Sequence, residues 1–175
     1  ADVTKLVAGF DNAGALLSNG DYYDWGYNAQ GQLGDRKLGP SSSVPVKVKL
    51  PGKVAQAAQG GSIWHNGQTL VMLADGARWA WVSNRDFQLG DGTQVNRATP
   101  VRFHAPAGVT YKTLATGGPP SYAISTAGKV YSWCGNSPVD LGRGTTGAGR
   151  NQSRARNAAH RASPAASPDP LTPPP

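Results

Sequence analysis

The acidic side chains, which could serve in acid–base catalysis, are all aspartates: ten occur in 175 residues and no glutamate is present. Asp75 and Asp91 each precede a glycine, a position at which aspartate commonly bonds its own turn backbone. General acid–base chemistry needs two carboxylates held close together, and no spacing here suggests such a pair. We therefore predict structural aspartates, no catalytic residue and a protein that is not an enzyme.

Metal or nucleophile chemistry would have to use the three histidines, His65, His104 and His160, or the single cysteine, Cys134. They form neither His-x-x-x-His nor Cys-x-x-Cys, so no metal site is predicted. Cys134 lies directly after a tryptophan in a predicted strand, which favours a buried, inert thiol. The sequence therefore predicts no metal and no reactive cysteine.

A glycine pattern of the phosphate-binding type, Gly-x-Gly-x-x-Gly, occurs at residues 142–147. Dinucleotide binding through this pattern requires a helix directly after it, within a βαβ unit. The segment that follows is rich in Pro, Ala and Arg instead. We therefore predict no nucleotide or other cofactor.

Internal repetition is the strongest signal in the sequence, since three segments align without gaps: Tyr22–Gly34, Arg78–Gly90 and Val130–Gly142. Their tryptophans, Trp25, Trp81 and Trp133, are separated by 56 and 52 residues. The same two spacings relate the asparagines, the leucines and the turn glycines of the three segments: Asn28, Asn84, Asn136; Leu33, Leu89, Leu141; Gly20, Gly76, Gly128. The chain is thus predicted to repeat one structural unit.

Each unit has the pattern of a short antiparallel meander. In the second unit an apolar run precedes Asp75-Gly76, a hairpin signal, and an alternating strand follows it. Pro100 begins a further strand, and Tyr111–Ala115 adds another. About four short strands per period is the plan of a propeller blade, so we predict an all-β fold.

The first unit resembles a known family over ten residues, Trp-Gly-Tyr-Asn-Ala-Gln-Gly-Gln-Leu-Gly at 25–34. This pattern, followed by Pro-x-x-Val and a Gly-Gly turn, is similar to the regulator of chromosome condensation repeat. The resemblance covers residues 6–142 and implies a seven-bladed β-propeller in which sequence repeats and blades are offset. With about two and a half periods, the chain is expected to form a partial propeller of two to three four-stranded antiparallel blades.

The later units depart from the family pattern. In the second, Val82 stands where Gly26 does, and Asp86-Phe87 replaces Gln30-Gly31. In the third, Cys134 and the run from Pro138 to Asp140 depart further. A shifted reading frame near Asn136–Pro138 would explain both this divergence and the composition that follows, and a natural basic linker is the alternative.

The chain divides by composition into residues 1–142, an incomplete propeller repeat domain, and residues 143–175, a tail. The tail holds seven Ala, six Pro and five Arg and is predicted to be disordered, because it cannot bury enough apolar surface. It carries +4 of the net charge of +7 (five Arg minus one Asp). No aromatic residue interleaves with its arginines, so no specific nucleic-acid binding is expected.

Two tryptophans, Trp64 and Trp79, lie outside the repeat register. Trp64 lies in a Gly-Gly-Ser-Ile-Trp-His-Asn-Gly stretch about four residues longer than its equivalents. Trp64 is the one candidate ligand-binding residue, because an exposed tryptophan in a propeller loop can anchor a partner. The alternative is that its side chain is half-buried against the protein. Trp79 shares a strand face with Trp81 and is predicted to pack against the next blade.

These observations predict a non-catalytic protein-interaction scaffold, formed as part of a longer propeller, with an unidentified protein partner. Family resemblance implies an alternative, guanine-nucleotide exchange on a small GTPase, and a non-functional truncated or frameshifted product is a third. Open blade edges also predict self-association. No apolar run reaches the ~20 residues of a membrane span. The start of the chain does not resemble a signal peptide. The compartment is left unassigned, the alternatives being cytoplasmic or, if the chain is a cut mature product, secreted.

Overall fold

The structure, a computed structural model, describes residues 1–62, 65–134 and 152–157. The described residues form β-strands joined by turns. The strands are β1 (Val3–Ala8), β2 (Asn12–Leu17), β3 (Tyr22–Gly26), β4 (Ser42–Lys47), β5 (Val54–Ser62), β6 (His65–Leu73), β7 (Arg78–Val82), β8 (Arg97–Arg102), β9 (Tyr111–Thr116), β10 (Ser121–Ser125), β11 (Val130–Cys134) and β12 (Gln152–Asn157).

These strands pair into three four-stranded antiparallel sheets, each an up-and-down meander of consecutive strands. The first blade is β1–β4, the second β5–β8 and the third β9–β12. Within each blade the second and third strands are joined by a turn whose glycine N–H (Gly20, Gly76 or Gly128) donates to the carbonyl three residues earlier, at 2.9 Å. The predicted partial propeller of two to three blades is confirmed, with three blades that do not close a ring.

The fourth strand of the third blade lies inside the segment that composition predicts to be disordered. Strand β12 pairs with β11, with Asn157 opposite Tyr131 and Arg156 opposite Ser132. Backbone hydrogen bonds to an open strand edge do not require apolar side chains, and the composition argument therefore did not anticipate them. The rest of 143–175, and the Asn136–Pro138 region of the proposed frame shift, lie outside the described residues.

Adjacent blades pack face to face through two apolar clusters. The first seam joins blades one and two, and its buried residues are Leu16, Tyr22, Val48, Val54, Ala57, Val71, Leu73, Trp81 and Val82. The second seam joins blades two and three, and its buried residues are Ala58, Leu70, Met72, Ala80, Leu89, Phe103, Tyr111, Leu114, Ala123, Tyr131 and Trp133. We call the side of a blade that packs on the preceding blade its near face, and the opposite side its far face.

The repeated tryptophan fixes each seam. The indole N–H of Trp81 donates to the backbone carbonyl of Gln32 at 3.0 Å, and that of Trp133 donates to Gln88 at 2.9 Å. Both indoles are fully buried, so each would lose a buried hydrogen-bond partner if the preceding turn moved away. Each blade is therefore tied to the Gln-Leu-Gly turn of the blade before it.

The other recurring residues shape the turn that receives the indole. The side-chain oxygens of Asn28 and Asn84 each accept the N–H of the turn leucine at 3.0 Å. The side-chain oxygens of Gln32 and Gln88 accept the N–H groups of residues 30 and 86. The repeat motif thus specifies a hydrogen-bonded turn whose carbonyl accepts the indole N–H of the tryptophan in the next blade.

At two positions where the second unit departs from the family pattern, the backbone has the same positive φ as the equivalent glycine of the first unit. Gly26 has φ 108° and its equivalent Val82 has φ 91°, while Gly31 has φ 88° and its equivalent Phe87 has φ 62°. A side chain in this left-handed region is strained, so packing must hold it there. Val82 is buried in the first seam, which supplies such packing.

The prediction for Trp79 is wrong in direction. Trp79 packs against the first seam, which lies toward the preceding blade, and the guanidinium of Arg102 lies 6.0 Å from the centre of its ring. The physical reason is the strand alternation itself: residues two apart share a face, and Trp81 already faces the preceding blade.

Gly90→Ala tests the contact between turn and tryptophan. Gly90 has φ 67°, and a Cβ there would lie 2.8 Å from the Trp133 Nε1. We expect a loss of unfolding free energy from left-handed strain, about 1–2 kcal/mol, and a further loss of about 1–3 kcal/mol from overpacking. Urea denaturation measures the sum.

Gly128→Ala is the matched control, since Gly128 has φ 74° and open space around the added Cβ. Gly128→Ala should lower the unfolding free energy through left-handed strain only, without overpacking. Equal destabilisation by the two variants would contradict a tightly packed seam.

Candidate functional site

The sequence-predicted site residues that the structure describes lie on different elements. Trp64, the candidate anchor, lies outside the described residues. His65 begins strand β6, and His104 is exposed in the loop that follows β8. Cys134 ends β11, and its side chain is buried, as predicted. In the part of the chain that the structure describes, no three His, Cys, Asp or Glu side chains come together as a metal site.

The two aspartates interpreted as turn residues do hold turns. A carboxylate oxygen of Asp75 accepts the N–H of Ala77 at 2.8 Å. A carboxylate oxygen of Asp91 accepts the N–H of Thr93 at 2.9 Å, and Arg97 lies 3.2 Å from this carboxylate. Burial opposes ionisation of Asp91, but these hydrogen bonds lower its pKa below the ordinary value.

A buried carboxyl that sequence reasoning missed lies at the first seam. Asp24 is fully buried in β3, and its carboxyl accepts Gln59 Nε2 from the second blade at 2.8 Å and Asn12 Nδ2 at 3.3 Å. Burial raises the pKa of Asp24 well above its ordinary value, although these bonds and one from the backbone N–H of Trp25 act in the opposite direction. The one signal in the sequence is its position two residues after Tyr22, on the same strand face.

A glutamine bridges the second seam in a comparable way. Gln68 Nε2 donates to the carbonyls of Pro119 at 3.0 Å and Gly118 at 3.1 Å, and to Thr116 Oγ1. The two carbonyls belong to the turn between β9 and β10 of the third blade, and Thr116 is the last residue of β9. Hydrogen bonds from Gln59 and Gln68 of the second blade therefore connect it to the first and third blades.

A cavity of about 260 Å³ lies between the turn at Gly20 and the segment that joins the first two blades. Its two lysines are already engaged: Lys47 Nζ lies 2.7 Å from the Asp21 carboxylate, and Lys53 Nζ donates to the carbonyl of Asn19. Each of these ammonium groups thus makes one polar contact within the protein.

The best candidate for a binding surface is formed by the loops that follow the third strands of the first two blades. Its exposed apolar members are Tyr27, Leu38 and Val95. Its exposed cations are Arg36, Lys37 and Arg85. We call these six residues the loop surface. Apolar tips beside cations are typical of protein-binding surfaces rather than of enclosed catalytic sites.

The two loops are held against each other. The N–H of Arg36 donates to the carbonyl of Ala98 at 3.2 Å, and Ala98 belongs to β8 of the next blade. At Gly31 the chains are so close that an added Cβ would lie 2.3 Å from the Cβ of Ala98. The loop surface is therefore presented on a fixed support. The described residues include no helix that could span a membrane.

Comparison with known sequences agrees with the repeat. The family model for the regulator of chromosome condensation (RCC1) repeat matches residues 19–63. The chain is 31% identical over 134 residues to the regulator of chromosome condensation of Drosophila melanogaster, covering 75% of this chain and 23% of that protein. It is 28% identical over 142 residues to the probable E3 ubiquitin-protein ligase HERC6 of Homo sapiens, covering 79% of this chain and 13% of that protein. The chain thus spans less than a quarter of either relative.

Comparison with solved structures agrees with the fold. Human WBSCR16 matches with a TM-score of 0.75 at 23% identity, over 89% of this chain and 37% of that chain. Yeast RCC1 (Prp20), in a crystal structure with Kap60, matches with a TM-score of 0.75 at 21% identity, over 92% of this chain and 38% of that chain. Given the repeated Trp–turn device, the three unclosed blades and these matches, the chain belongs to the regulator of chromosome condensation (RCC1) repeat family, as a partial propeller.

Proposed function

We propose that the chain is a non-catalytic scaffold that binds a protein partner through the loop surface. The observation that carries this proposal is the bond from the N–H of Arg36 to the carbonyl of Ala98, which couples the loops of two blades. A surface whose parts are already fixed loses little conformational entropy on binding. Exposed Tyr27, Leu38 and Val95 supply the apolar area that such a contact needs.

The buried carboxyl of Asp24 is assigned a structural role in this proposal. A catalytic acid or base has to come within hydrogen-bond reach of a substrate. Asp24 is fully buried, and both of its oxygens accept hydrogen bonds from side-chain amides. Its raised pKa follows from burial within the seam rather than from a cleft open to substrate.

Protein binding also accords with two related structures. Yeast RCC1 (Prp20) is described bound to Kap60, and the binding properties of Prp20p to Gsp1p and histones are described in a second structure. Guanine-nucleotide exchange on a small GTPase is the alternative that family resemblance implies. Faster nucleotide release from a small GTPase on addition of this chain would favour exchange over simple binding.

Asp24→Asn tests the structural role of the buried carboxyl. Because the pKa of Asp24 is raised in the folded state, the folded protein holds this proton more tightly than the unfolded chain does. Stability from this group is therefore present at low pH and is lost as pH rises from about 4, its unfolded pKa, through the folded pKa. Relative to Asp24→Asn, the wild type should lose unfolding free energy over that interval, as measured by urea denaturation at several pH values.

Asp21→Asn is the matched control in the same blade. Hydrogen bonding to Lys47 lowers the pKa of Asp21, so its contribution has the opposite sign and is lost as pH falls. The wild type should therefore gain stability relative to Asp21→Asn as pH rises through the folded pKa of Asp21 toward its unfolded value. A pH-independent difference between the wild type and Asp24→Asn would refute a raised pKa at Asp24.

Leu38→Asp tests the loop surface. A partner is first captured by the immobilised full chain, identified, purified, and its Kd measured by calorimetry. A charge at the centre of an apolar contact should weaken binding by about tenfold or more, equivalent to roughly 1.4 kcal/mol. Val44→Asp is the control, since Val44 is also well exposed but lies on the outer strand β4. A Kd that is unchanged by Leu38→Asp, or is changed equally by Val44→Asp, would exclude the loop surface as the binding site.

A further inference from the structure

The turn between β2 and β3 of the first blade contains an asparagine followed by a glycine, Asn19-Gly20. Asn19 is exposed to water. Glycine has no Cβ, so no side chain on Gly20 shields its backbone nitrogen from the preceding residue. That nitrogen can attack Cγ, the side-chain carbonyl carbon of Asn19, and displace ammonia. The turn therefore contains the two groups that react in a spontaneous deamidation, at the end of β3 opposite the loop surface.

Hydrogen bonds fold the Asn19 side chain back over the peptide that follows it. Its Oδ1 accepts the backbone N–H of Asp21 at 2.9 Å, and its Nδ2 donates to the Asp21 carboxylate at 3.2 Å. A hydrogen bond from the residue two positions on closes a ring of atoms that includes the Gly20 nitrogen. Cγ of Asn19 is therefore held near the nitrogen that would attack it.

An ammonium group lies on the same peptide. Lys53 Nζ donates to the backbone carbonyl oxygen of Asn19, whose carbon is bonded to the Gly20 nitrogen. The Gly20 nitrogen has to lose its proton before it can attack, and a positive charge close by favours the deprotonated form. The lysine stem is packed on the turn, since a Cβ added to Gly20 would lie 2.7 Å from the Lys53 Cβ. Lys53 is thus fixed where its charge acts on the attacking nitrogen.

The equivalent turn of the second blade has a threonine in place of this lysine. That turn, Asp75-Gly76, lies 56 residues after Asn19-Gly20. Thr110 is the equivalent of Lys53, since the carbonyls of both accept corresponding backbone N–H groups in their own blades. A Cβ added to Gly76 would meet nothing within 4 Å. The ammonium group on the peptide carbonyl is therefore specific to the first turn and is not a general feature of the repeat.

We propose that Asn19 is a site of deamidation and that Lys53 promotes the reaction. The N–H of Gly20 donates to the Leu17 carbonyl at 2.9 Å and is released when this bond opens at the exposed turn. The N–H gives its proton to solvent hydroxide, and the nitrogen forms a bond to Cγ of Asn19. The Cγ–Nδ2 bond breaks, and Nδ2 takes a proton from water and leaves as ammonia. One water molecule then opens the cyclic imide at either carbonyl, giving aspartate or isoaspartate.

The two products should affect the structure differently. Aspartate fits the turn, because Asp75 is the equivalent residue and its carboxylate accepts the N–H two positions on at 2.8 Å, as Asn19 does at 2.9 Å. Isoaspartate adds a methylene to the main chain before Gly20, whose carbonyl accepts the N–H of Val54 at 2.8 Å where the second blade begins. We therefore expect isoaspartate, but not aspartate, to weaken the first seam.

Lys53→Met tests the proposal in the full chain, incubated at mildly alkaline pH in a buffer without ammonia. Deamidation is followed by mass spectrometry of the tryptic peptide 6–36, with fragmentation to distinguish Asn19 from the other asparagines. Folded Lys53→Met should react at Asn19 about tenfold more slowly than the folded wild type, because a close opposite charge favours the ionised form by about that factor or more. In guanidinium chloride, where Lys53 no longer lies on this peptide, the two chains should react at equal rates.

Lys49→Met is the matched control, since Lys49 is an exposed lysine of the same segment between β4 and β5. It should react at the wild-type rate, and so should Lys53→Arg, which keeps a cation at the carbonyl. Three results would overturn the proposal: no conversion of Asn19 in the folded wild type, equal folded rates for the wild type and Lys53→Met, or a difference between these two chains that persists in denaturant. Slowing by Lys49→Met as large as that by Lys53→Met would also overturn it.

Discussion

The hydrogen bond from a buried indole to the carbonyl of the preceding turn is the interaction on which the remaining structure depends. It occurs twice, from Trp81 to Gln32 and from Trp133 to Gln88, with nearly the same length. Each bond constrains how one blade sits on the preceding turn, because the indole has one N–H donor and a hydrogen bond prefers a nearly linear geometry. The order of the blades follows from this local contact, as expected for repeat architectures with nearest-neighbour interfaces.

The seam also determines where function can reside. The two seams cover the apolar faces of the second blade, and the polar side chains of Asp24 and Gln68 make hydrogen bonds across them. Among the described residues, the loops between the third and fourth strands of the first two blades lie outside the seams and carry exposed apolar and cationic side chains.

Spacing in the sequence predicted the tryptophans, the turns and the four-stranded meander, because a repeated unit carries the same contacts at the same positions. The burial of Asp24 was not predictable, since it depends on Gln59, 35 residues away, and the equivalent positions hold Ala80 and Ser132. The strand Gln152–Asn157 was not predicted, because its pairing depends on backbone hydrogen bonds to β11, and composition contains no information about such pairing. Trp64, the one site residue proposed from sequence, stays a prediction.

Hydrogen exchange of the indole N–H groups, followed by NMR with residue-specific assignment, tests the seam most directly. Slow exchange is expected for Trp81 and Trp133, whose protons are buried and bonded to the preceding turn. At concentrations where the chain is monomeric, Trp25 should exchange much faster. Equal exchange rates for all three tryptophans would contradict the claim that this bond fixes one blade to the next.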